Sequence, residues 1–264
     1  MRLTLNDMNK KYAAKEKLVM LSCYDASFAA LLDAAGVELM LVGDSLGMVI
    51  QGHPTPLPVT IEDSMYHTAA VARGSKTAMV MGDLPFATYQ ISKEQAFANA
   101  AKLMQAGAGI VKLEGGVPMA ETVEFLVTRG IPVCGHLGLT PQAFNQLGGF
   151  RMQGKDEAGQ QQLMTDAKAL QDAGAAMIVF EFIPASLGKR VTEALKIPTI
   201  GIGAGPDCSG QILITYDMLD IFPGKKPSFV KNYMEGNGTP AKAIAAFVRE
   251  VKSGAFPSPE YYKP

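Results

Sequence analysis

The sequence predicts a (β/α)8 barrel, and three observations lead to that fold class. The chain has 264 residues, close to the roughly 250 residues of such barrels. Short apolar segments alternate with amphipathic ones along its length, which is typical of a parallel sheet with helical crossovers. Four of the apolar segments end on an acid: Asp44, Asp83, Glu114 and Glu181. Polar groups at many strand ends favour a barrel, because an open sheet gathers its site at one switch point.

A repeated unit underlies this prediction, and residues 106–116 show it most clearly. Gly107 can take the positive φ that ends a helix, and Ile110–Leu113 then reads as a strand buried on both faces, with an acid directly after it. Residues 35–45 and 173–181 repeat this order of helix-stop glycine, apolar strand and acid. Residues 78–83 have the strand and the acid without the glycine. We therefore expect the acids to meet at one opening of the barrel.

The elements of the first half follow from hydrophobic periodicity and helix stops. Phe28, Leu31 and Leu32 lie along one face of an amphipathic helix, and Ser92 with Gln95 fits a capping box before another. The predicted elements are a short N-terminal helix at 4–15, strand 18–23, helix 26–35, strand 38–43, a long loop at 46–60, helix 61–73, strand 78–82, a helix after Ser92 and strand 110–113.

The second half continues the alternation. Residues 222–237 are rich in turn formers and are predicted to be irregular. The eighth strand has the weakest pattern, with residues 212–214 as its best candidate. The predicted elements are helix 118–129, strand 131–136, a second long loop at 137–155, helix 157–173, strand 176–180, helix 184–196, strand 198–202, strand 212–214 and helix 241–252.

Composition and charge exclude several classes of protein. Charged residues make up 19% and hydrophobic residues 48%, and no linker interrupts the chain, so we expect one domain across residues 1–264. A formal net charge of −1 and the absence of a basic run argue against nucleic acid or an anionic membrane as a partner. The polar start and the short apolar runs predict a cytoplasmic protein. Cys23, Cys134 and Cys208 fit reduced thiols, and burial is expected for Cys23 and Cys134, which lie in predicted strands.

Two interpretations compete for the acids at the strand ends. Each can cap the helix that follows it, and Asp83, two residues before Pro85, is the best candidate for a cap. Several carboxylates at one opening, however, repel one another unless something neutralises them. Two or three carboxylates with waters suit Mg²⁺, whereas paired His or Cys ligands for zinc are missing from the sequence.

Lys112 and His136 are two further candidates at strand ends. Lys112 precedes Glu114 by two residues, so both side chains point to the same side of the strand. Lys112 can form an internal ion pair with Glu114 or Asp83, or it can bind a substrate carboxylate. It can also do both. His136 fits a structural histidine somewhat better than a catalytic base, so we treat it as a possible supporting residue. Residues 201–205 have the glycine spacing of a tight loop bordering the site.

Taken together, several motifs resemble the ketopantoate hydroxymethyltransferase family. The resemblance spans about residues 12–247. Two positions depart from the family pattern: Ser209 stands where Asp is expected, and Ser228 where a basic residue is expected. The motifs are Val42-Gly43-Asp44-Ser45-Leu46-Gly47-Met48, Gln51-Gly52-His53, Leu57-Pro58-Val59-Thr60, Tyr66-His67-Thr68, Asp83-Leu84-Pro85-Phe86, Val111-Lys112-Leu113-Glu114-Gly115-Gly116, Gly135-His136-Leu137-Gly138-Leu139-Thr140-Pro141-Gln142 and Gly201-Ile202-Gly203-Ala204-Gly205.

The resemblance implies a fold, a reaction and an assembly. The fold is a TIM barrel of the phosphoenolpyruvate/pyruvate type, and the assembly is a homodecamer. The reaction is transfer of a hydroxymethyl group from 5,10-methylenetetrahydrofolate to 3-methyl-2-oxobutanoate, with Mg²⁺, on the pathway to pantothenate and coenzyme A.

The resemblance also implies roles for particular residues. Asp44, Asp83 and Glu114 bind or surround Mg²⁺. Asp44, Ser45, Asp83 and Lys112 hold the substrate, and Glu181 accepts the proton.

The chemistry of a 2-oxo acid agrees with these implied roles. Removal of the C3 proton places negative charge on the keto oxygen, which a divalent cation can stabilise, and a general base must reach that proton. Burial beside Phe180 and Phe182 would raise the pKa of Glu181 toward a useful range for a base. The loop from Gly47 to Thr60 is a candidate lid, because it is long and follows Asp44.

Two alternatives stay open at this stage. Another lyase or mutase of the same barrel type would share the Mg²⁺ and enolate chemistry. A non-catalytic barrel would bind the metal and a 2-oxo acid without exchanging the C3 proton.

Overall fold

Eight parallel strands close into a barrel in sequence order within residues 2–264, which the computed structural model describes. Each strand hydrogen-bonds to its neighbours in the chain, and the last pairs with the first through Leu18 with Gly210 and Met20 with Ile212. The structure confirms the predicted (β/α)8 fold. The strands are β1 Leu18–Ser22, β2 Leu39–Val42, β3 Met79–Asp83, β4 Ile110–Glu114, β5 Val133–Gly138, β6 Met177–Glu181, β7 Thr199–Ile202 and β8 Gly210–Leu213.

Helices connect the strands and cover the outside of the barrel, and the first one, α1, precedes β1 as predicted. Strand residues are buried almost throughout, as expected for a parallel sheet covered on both faces. Within residues 2–264, no helix has the length and hydropathy of a membrane span. The helices are α1 Leu5–Ala13, α2 Ala26–Ala34, α3 Leu46–Val49, α4 Ile61–Gly74, α5 Lys93–Gln105, α6 Ala120–Val127, α7 Phe144–Leu147, α8 Glu157–Asp172, α9 Ala185–Ala194, α10 Thr215–Met218 and α11 Pro240–Ser253.

Helix capping is provided by residues other than the four acids at the strand ends. Asp25 accepts hydrogen bonds from the amides of Ser27 and Phe28 at the start of α2, and Asp156 accepts one at the start of α8. Thr4 and Thr60 form capping boxes with acids three residues later, and Ser92 caps α5. The interpretation of Asp83 as a cap is therefore wrong. Its carboxylate is turned into the barrel by the strand pleat and bonds to Lys112 instead.

Several predicted boundaries differ from the structure. The fifth strand runs on to Gly138 instead of ending at His136, and the eighth begins at Gly210 instead of Ile212. Both loops predicted to be irregular, at 46–60 and 137–155, contain a short helix, α3 and α7. Glycine and proline marked these segments as loops, but single helical turns are too short to show a period in sequence.

Register places the candidate residues side by side at the C-terminal end of the barrel. Asp83 pairs with Lys112 across β3 and β4, and Glu114 pairs with His136 across β4 and β5. Gly138 pairs with Glu181 across β5 and β6. These pairings bring acids that are far apart in sequence to one end of the barrel.

Gly138 is a position that only glycine fits, next to the base candidate. Its φ is +91°, and a Cβ there would lie 2.3 Å from the carbonyl oxygen of Glu181. Gly130 is a matched control, because its φ is +87° and a Cβ there meets no atom within 4 Å. We expect Gly138→Ala to lower the free energy of unfolding by about 1–3 kcal/mol more than Gly130→Ala does. Denaturant unfolding of both variants measures the difference, and equal losses would contradict the close approach.

Candidate active site

The strand ends surround a cavity of about 540 Å³ at the C-terminal end of the barrel. This volume lies within the range of small-molecule sites, and the C-terminal face is where barrel enzymes carry their sites. Six of the seven residues predicted for the site line the cavity. They are Asp44, Ser45, Asp83, Lys112, His136 and Glu181. Glu114 does not line it.

Lys112 and Asp83 form a buried ion pair in this cavity. The Lys112 Nζ donates to Asp83 Oδ2 over 2.6 Å and lies 3.7 Å from Glu114 Oε1. Burial alone would lower the pKa of the lysine, but the charges of Asp83, Glu114 and Asp44 outweigh it and raise the pKa above its usual range. Lys112 therefore carries a positive charge at neutral pH. This confirms the interior ion pair predicted from the spacing of Lys112 and Glu114.

Asp44 and Asp83 lie side by side, since the backbone amide of Asp44 donates to Asp83 Oδ2 over 3.2 Å. Burial raises the pKa of both carboxyl groups, and Lys112 opposes the rise. Asp83 Oδ1 is buried and accepts no hydrogen bond from the described residues. Such an oxygen is costly unless a ligand or cation meets it. The pair of acids thus fits a hard cation that takes oxygen ligands and keeps several waters.

Glu114 lies behind the cavity wall, and both of its carboxylate oxygens have polar partners there. Its Oε1 is 3.0 Å from Nδ1 of His136, and its Oε2 accepts the backbone amide of Gln142 over 3.0 Å. Among residues 2–264, no three His, Cys, Asp or Glu side chains lie close enough to hold one ion. The place of Glu114 in the surroundings of Mg²⁺ stays a prediction. His136 and Gln142 each contact one oxygen of Glu114, and each of these oxygens keeps a second lone pair.

Glu181 reaches the cavity from the end of β6 and has His136 as its neighbour. The His136 Nε2 lies 3.2 Å from Glu181 Oε2, without the alignment of a hydrogen bond. Burial raises the pKa of Glu181, and the nearby histidine opposes the rise. Burial, with the charge of Lys112, lowers the pKa of His136, so the ring is neutral at neutral pH. His136 thus stands between Glu114 and Glu181.

The surroundings of Glu181 correct one sequence expectation. Phe180 was predicted to bury this carboxyl group, but adjacent side chains of a strand point to opposite faces, and Phe180 packs in the core cluster that includes Leu163 and Leu187. Val179 and Phe182 line the cavity instead. Phe182 has φ +45°, an unusual conformation for a bulky residue. Strained backbone of this kind is concentrated at functional sites.

Ser45 is held at the cavity wall by Tyr24. The Tyr24 hydroxyl and Ser45 Oγ are 2.8 Å apart. Burial raises the pKa of Tyr24, so its hydroxyl keeps its proton. The candidate lid also contributes here, since Met48, Val49 and Pro56 line the same cavity. These contacts place the loop at the site, and its closure stays a prediction.

Gln142 is a structural residue of the site that sequence reasoning missed. Its Nε2 donates to Asp44 Oδ2 over 2.9 Å and to the carbonyl of Leu84 over 3.0 Å. Its Oε1 accepts from the Tyr89 hydroxyl over 2.7 Å, and its backbone amide holds Glu114. One residue thereby fixes two of the acids. The motif at 135–142 contained it, but no local pattern shows that this amide reaches two other strands.

Replacing Gln142 by Leu is expected to lower the free energy of unfolding by about 1–3 kcal/mol, because Asp44 and Tyr89 each lose a buried partner. Gln90→Leu is the control. Its amide donates to Gln142 Oε1 over 3.3 Å from an exposed position, so its loss should cost less than about 0.5 kcal/mol. Denaturant unfolding compares the two variants. Similar losses in both would argue against the buried network.

Comparison with solved structures supports the fold. The structure resembles phosphonopyruvate hydrolase in complex with oxalate and Mg²⁺, with a TM-score of 0.62 and 14% identity, covering 98% of this chain and 93% of that one. It also resembles 2,3-dimethylmalate lyase, a member of the PEP mutase/isocitrate lyase superfamily, with a TM-score of 0.61 and 12% identity, covering 97% and 99%.

Comparison with known sequences shows the family. A family model described as ketopantoate hydroxymethyltransferase matches residues 2–259. The 3-methyl-2-oxobutanoate hydroxymethyltransferase of Nitrosospira multiformis is 56% identical over 99% of both chains. The enzyme of the same name from Neisseria meningitidis serogroup A is 57% identical over 98% of both. The chain belongs to the ketopantoate hydroxymethyltransferase family.

Proposed function

We propose that the chain transfers a hydroxymethyl group from 5,10-methylenetetrahydrofolate to 3-methyl-2-oxobutanoate, giving 2-dehydropantoate in pantothenate biosynthesis. Full-length relatives of that name support this reaction. The observation that carries the mechanism is the joint position of the Lys112–Asp83 pair and Glu181 on one cavity. The ammonium group of Lys112 and the carboxylate of Glu181 therefore face the same cavity.

Asp44 and Asp83 are the proposed residues for Mg²⁺, with waters and the substrate completing its shell. The buried, unpaired Oδ1 of Asp83 supports this assignment. When bound, Mg²⁺ draws electron density from the keto oxygen and so makes the C3 proton of the substrate more acidic. Glu114 has the proposed role of a supporting acid, which holds His136 and contributes negative charge beside Lys112.

Lys112 and Ser45 orient the 2-oxo acid in this proposal. The Lys112 ammonium group can bind the substrate carboxylate while keeping its contact with Asp83. The Ser45 hydroxyl, positioned by Tyr24, can donate to a substrate oxygen. Together they turn C3 toward Glu181. Fixing the reactants in this way removes much of the entropic part of the barrier.

Glu181 is the proposed general base. Its carboxylate takes the C3 proton, and the electron pair of the C–H bond forms the enolate. C3 then bonds to the one-carbon unit, whose two C–N bonds to the folate break, and one water supplies the hydroxyl oxygen. The two folate nitrogens take one proton from that water and one from Glu181, so that tetrahydrofolate leaves. His136 Nε2 lies 3.2 Å from Glu181 Oε2, beside the carboxylate that takes the proton. The apolar walls limit water, which would otherwise return a proton to the enolate.

Deuterium exchange at C3 of 3-methyl-2-oxobutanoate tests this proposal. We expect exchange in D₂O that requires Mg²⁺, and 2-dehydropantoate once 5,10-methylenetetrahydrofolate is added, both followed by NMR. Exchange without product would favour another lyase or mutase of the barrel type. Binding of the 2-oxo acid without exchange would favour a non-catalytic barrel.

The exchange rate is expected to fall as the pH drops through the pKa of Glu181. The base is active when ionised, and burial favours its neutral form, so the loss begins at a higher pH than for an exposed glutamate. A pH–rate profile of exchange in the presence of saturating Mg²⁺ measures this. Full activity down to the usual pKa of glutamate would contradict the raised pKa.

Three further expectations accompany the reaction. We infer that residues 1–264 act as one domain, that the protein is cytoplasmic, and that it assembles as a homodecamer. The last inference rests on the family resemblance and is tested by the molar mass in solution. Closure of the Gly47–Thr60 loop is tested by limited proteolysis, where substrate should protect the loop.

A further inference from the structure

The cavity extends beyond the groups that the proposed mechanism uses. Its wall also contains Asp217 from α10 and residues of the irregular segment that follows, among them Phe222, Lys225, Lys226 and Phe229. Segment 222–237 is the one that its turn-forming residues predict to be irregular. The 2-oxo acid is small, with about eight carbon and oxygen atoms, so this part of the cavity remains for a second ligand.

Asp217 is an unusual group in this wall. It is 4% exposed, and no hydrogen bond from residues 2–264 reaches its carboxylate. Burial raises its pKa to about 6, and the charge of Lys226 opposes the rise. A carboxylate in such a place is costly unless a donor meets it. Since Asp217 lines the cavity, that donor can come from a ligand.

The chemistry of the two substrates decides which of them can supply the donor. The 2-oxo acid has only acceptor oxygens and a negative charge, so a second carboxylate would repel it. A tetrahydropteridine presents its 2-amino group and its N3–H side by side, and a carboxylate accepts two parallel N–H donors well. Asp217 thus matches the co-substrate rather than the acceptor substrate.

We propose that Asp217 binds the pterin ring of the folate co-substrate, accepting hydrogen bonds from its 2-amino group and N3–H. Phe222 and Phe229 provide apolar surface for the flat ring, and Phe229 packs against Phe182 with ring centroids 5.5 Å apart. Lys225 also lines the cavity and is the proposed cation for the carboxylates of the folate tail, whereas Lys226 pairs with Asp220. This inference rests on the proposed function and assigns the part of the site that takes the second substrate.

Asp217 is also near the groups that hold the first substrate. Asp217 lines the same cavity as Ser45, whose Oγ lies 2.8 Å from the Tyr24 hydroxyl. A ring bound at Asp217 is therefore beside the 2-oxo acid. Transfer requires this proximity, because the one-carbon unit is carried on the folate and must reach C3.

The test compares Asp217→Asn with the unchanged protein in two assays. The variant keeps the size of the side chain but replaces one acceptor with a donor and removes the charge. We expect the affinity for tetrahydrofolate, measured by calorimetry, to fall about 10- to 100-fold. We expect C3 exchange, measured with Mg²⁺ and without folate, to stay within about twofold, because exchange does not require the pterin. Asp207→Asn, an exposed change, is the matched control for folate affinity.

A folate analogue lacking the 2-amino group provides a second measurement. Its main comparison uses the unchanged protein alone, so it does not depend on the folding of a variant. The unchanged protein should bind 2-desamino-tetrahydrofolate about 10- to 100-fold more weakly than tetrahydrofolate, and Asp217→Asn should discriminate much less between the two. Unchanged folate affinity in the variant, or no discrimination by the unchanged protein, would overturn the assignment. Loss of C3 exchange in the variant would also overturn the assignment, because it would show that Asp217 acts on the 2-oxo acid. A failure of the proposed function looks different, since C3 exchange would then be missing from the unchanged protein.

Discussion

Replacing Glu181 by Gln is expected to slow C3 exchange of 3-methyl-2-oxobutanoate by about 10²–10⁴-fold, the usual contribution of a general base. The amide has nearly the shape of the carboxylate but cannot accept the proton at neutral pH. Formation of 2-dehydropantoate should fall by the same factor, because both reactions share the step that removes the C3 proton. Exchange is measured by NMR in D₂O at saturating Mg²⁺.

Two readouts separate a lost base from a damaged site. Binding of the 2-oxo acid should change little in Glu181→Gln, since Lys112 and Ser45 hold it in the proposed arrangement. Glu193→Gln, on the exposed side of α9, is the control and should exchange at the original rate. Undiminished exchange in Glu181→Gln would refute the assigned base and direct attention to His136, the nearest other group that can take a proton.

Much of the fold could be predicted because its signals are local. Apolar runs ended by an acid mark β2, β3, β4 and β6, and glycines such as Gly36, Gly107 and Gly174, all with positive φ, mark the ends of the helices before three of them. A parallel strand buried on both faces has a continuous apolar run, and a helix has its own period. These features depend on few neighbouring residues, so one sequence is enough to show them.

The arrangement within the site could be predicted only in part. Six of seven residues line the cavity because each lies at or near the C-terminal end of a strand, at the same end of the barrel. Glu114 also ends a strand, yet His136 and Gln142 hold its carboxylate behind the wall. Asp217 lines the cavity from a short helix after β8, where the strand pattern was weakest. The positions of Glu114 and Asp217 depend on side-chain direction and on contacts between distant segments. Neither of these produces a periodic pattern in the sequence.

Lys112 links the stability of the barrel to its chemistry. Three carboxylates surround one ammonium group, and all four residues are at most 6% exposed. Removing the cation therefore leaves negative charge without compensation in a medium of low polarity. A surface ion pair has no such consequence, because water screens the remaining charge.

Replacing Lys112 by Met is accordingly expected to lower the free energy of unfolding by about 3–5 kcal/mol, the cost of breaking a buried pair. Lys93→Met is the matched control, since the pair of Lys93 with Glu121 is largely exposed and should cost at most about 1 kcal/mol. Denaturant unfolding without Mg²⁺ compares the two. Equal losses would show that Lys112 is not needed to balance the acids.

A second substitution identifies which carboxylate accounts for the stability that is lost when Lys112 is replaced. Lys112→Met combined with Asp83→Asn should recover part of the lost stability, because the unpaired charge nearest to Nζ is removed as well. Mg²⁺ should also stabilise Lys112→Met more than the unchanged protein, since a cation at Asp44 and Asp83 then replaces the missing positive charge. In the double variant this gain from Mg²⁺ should disappear, because Asp83 can no longer bind it. If Mg²⁺ instead stabilised all three proteins equally, the ion would have to bind away from these two acids.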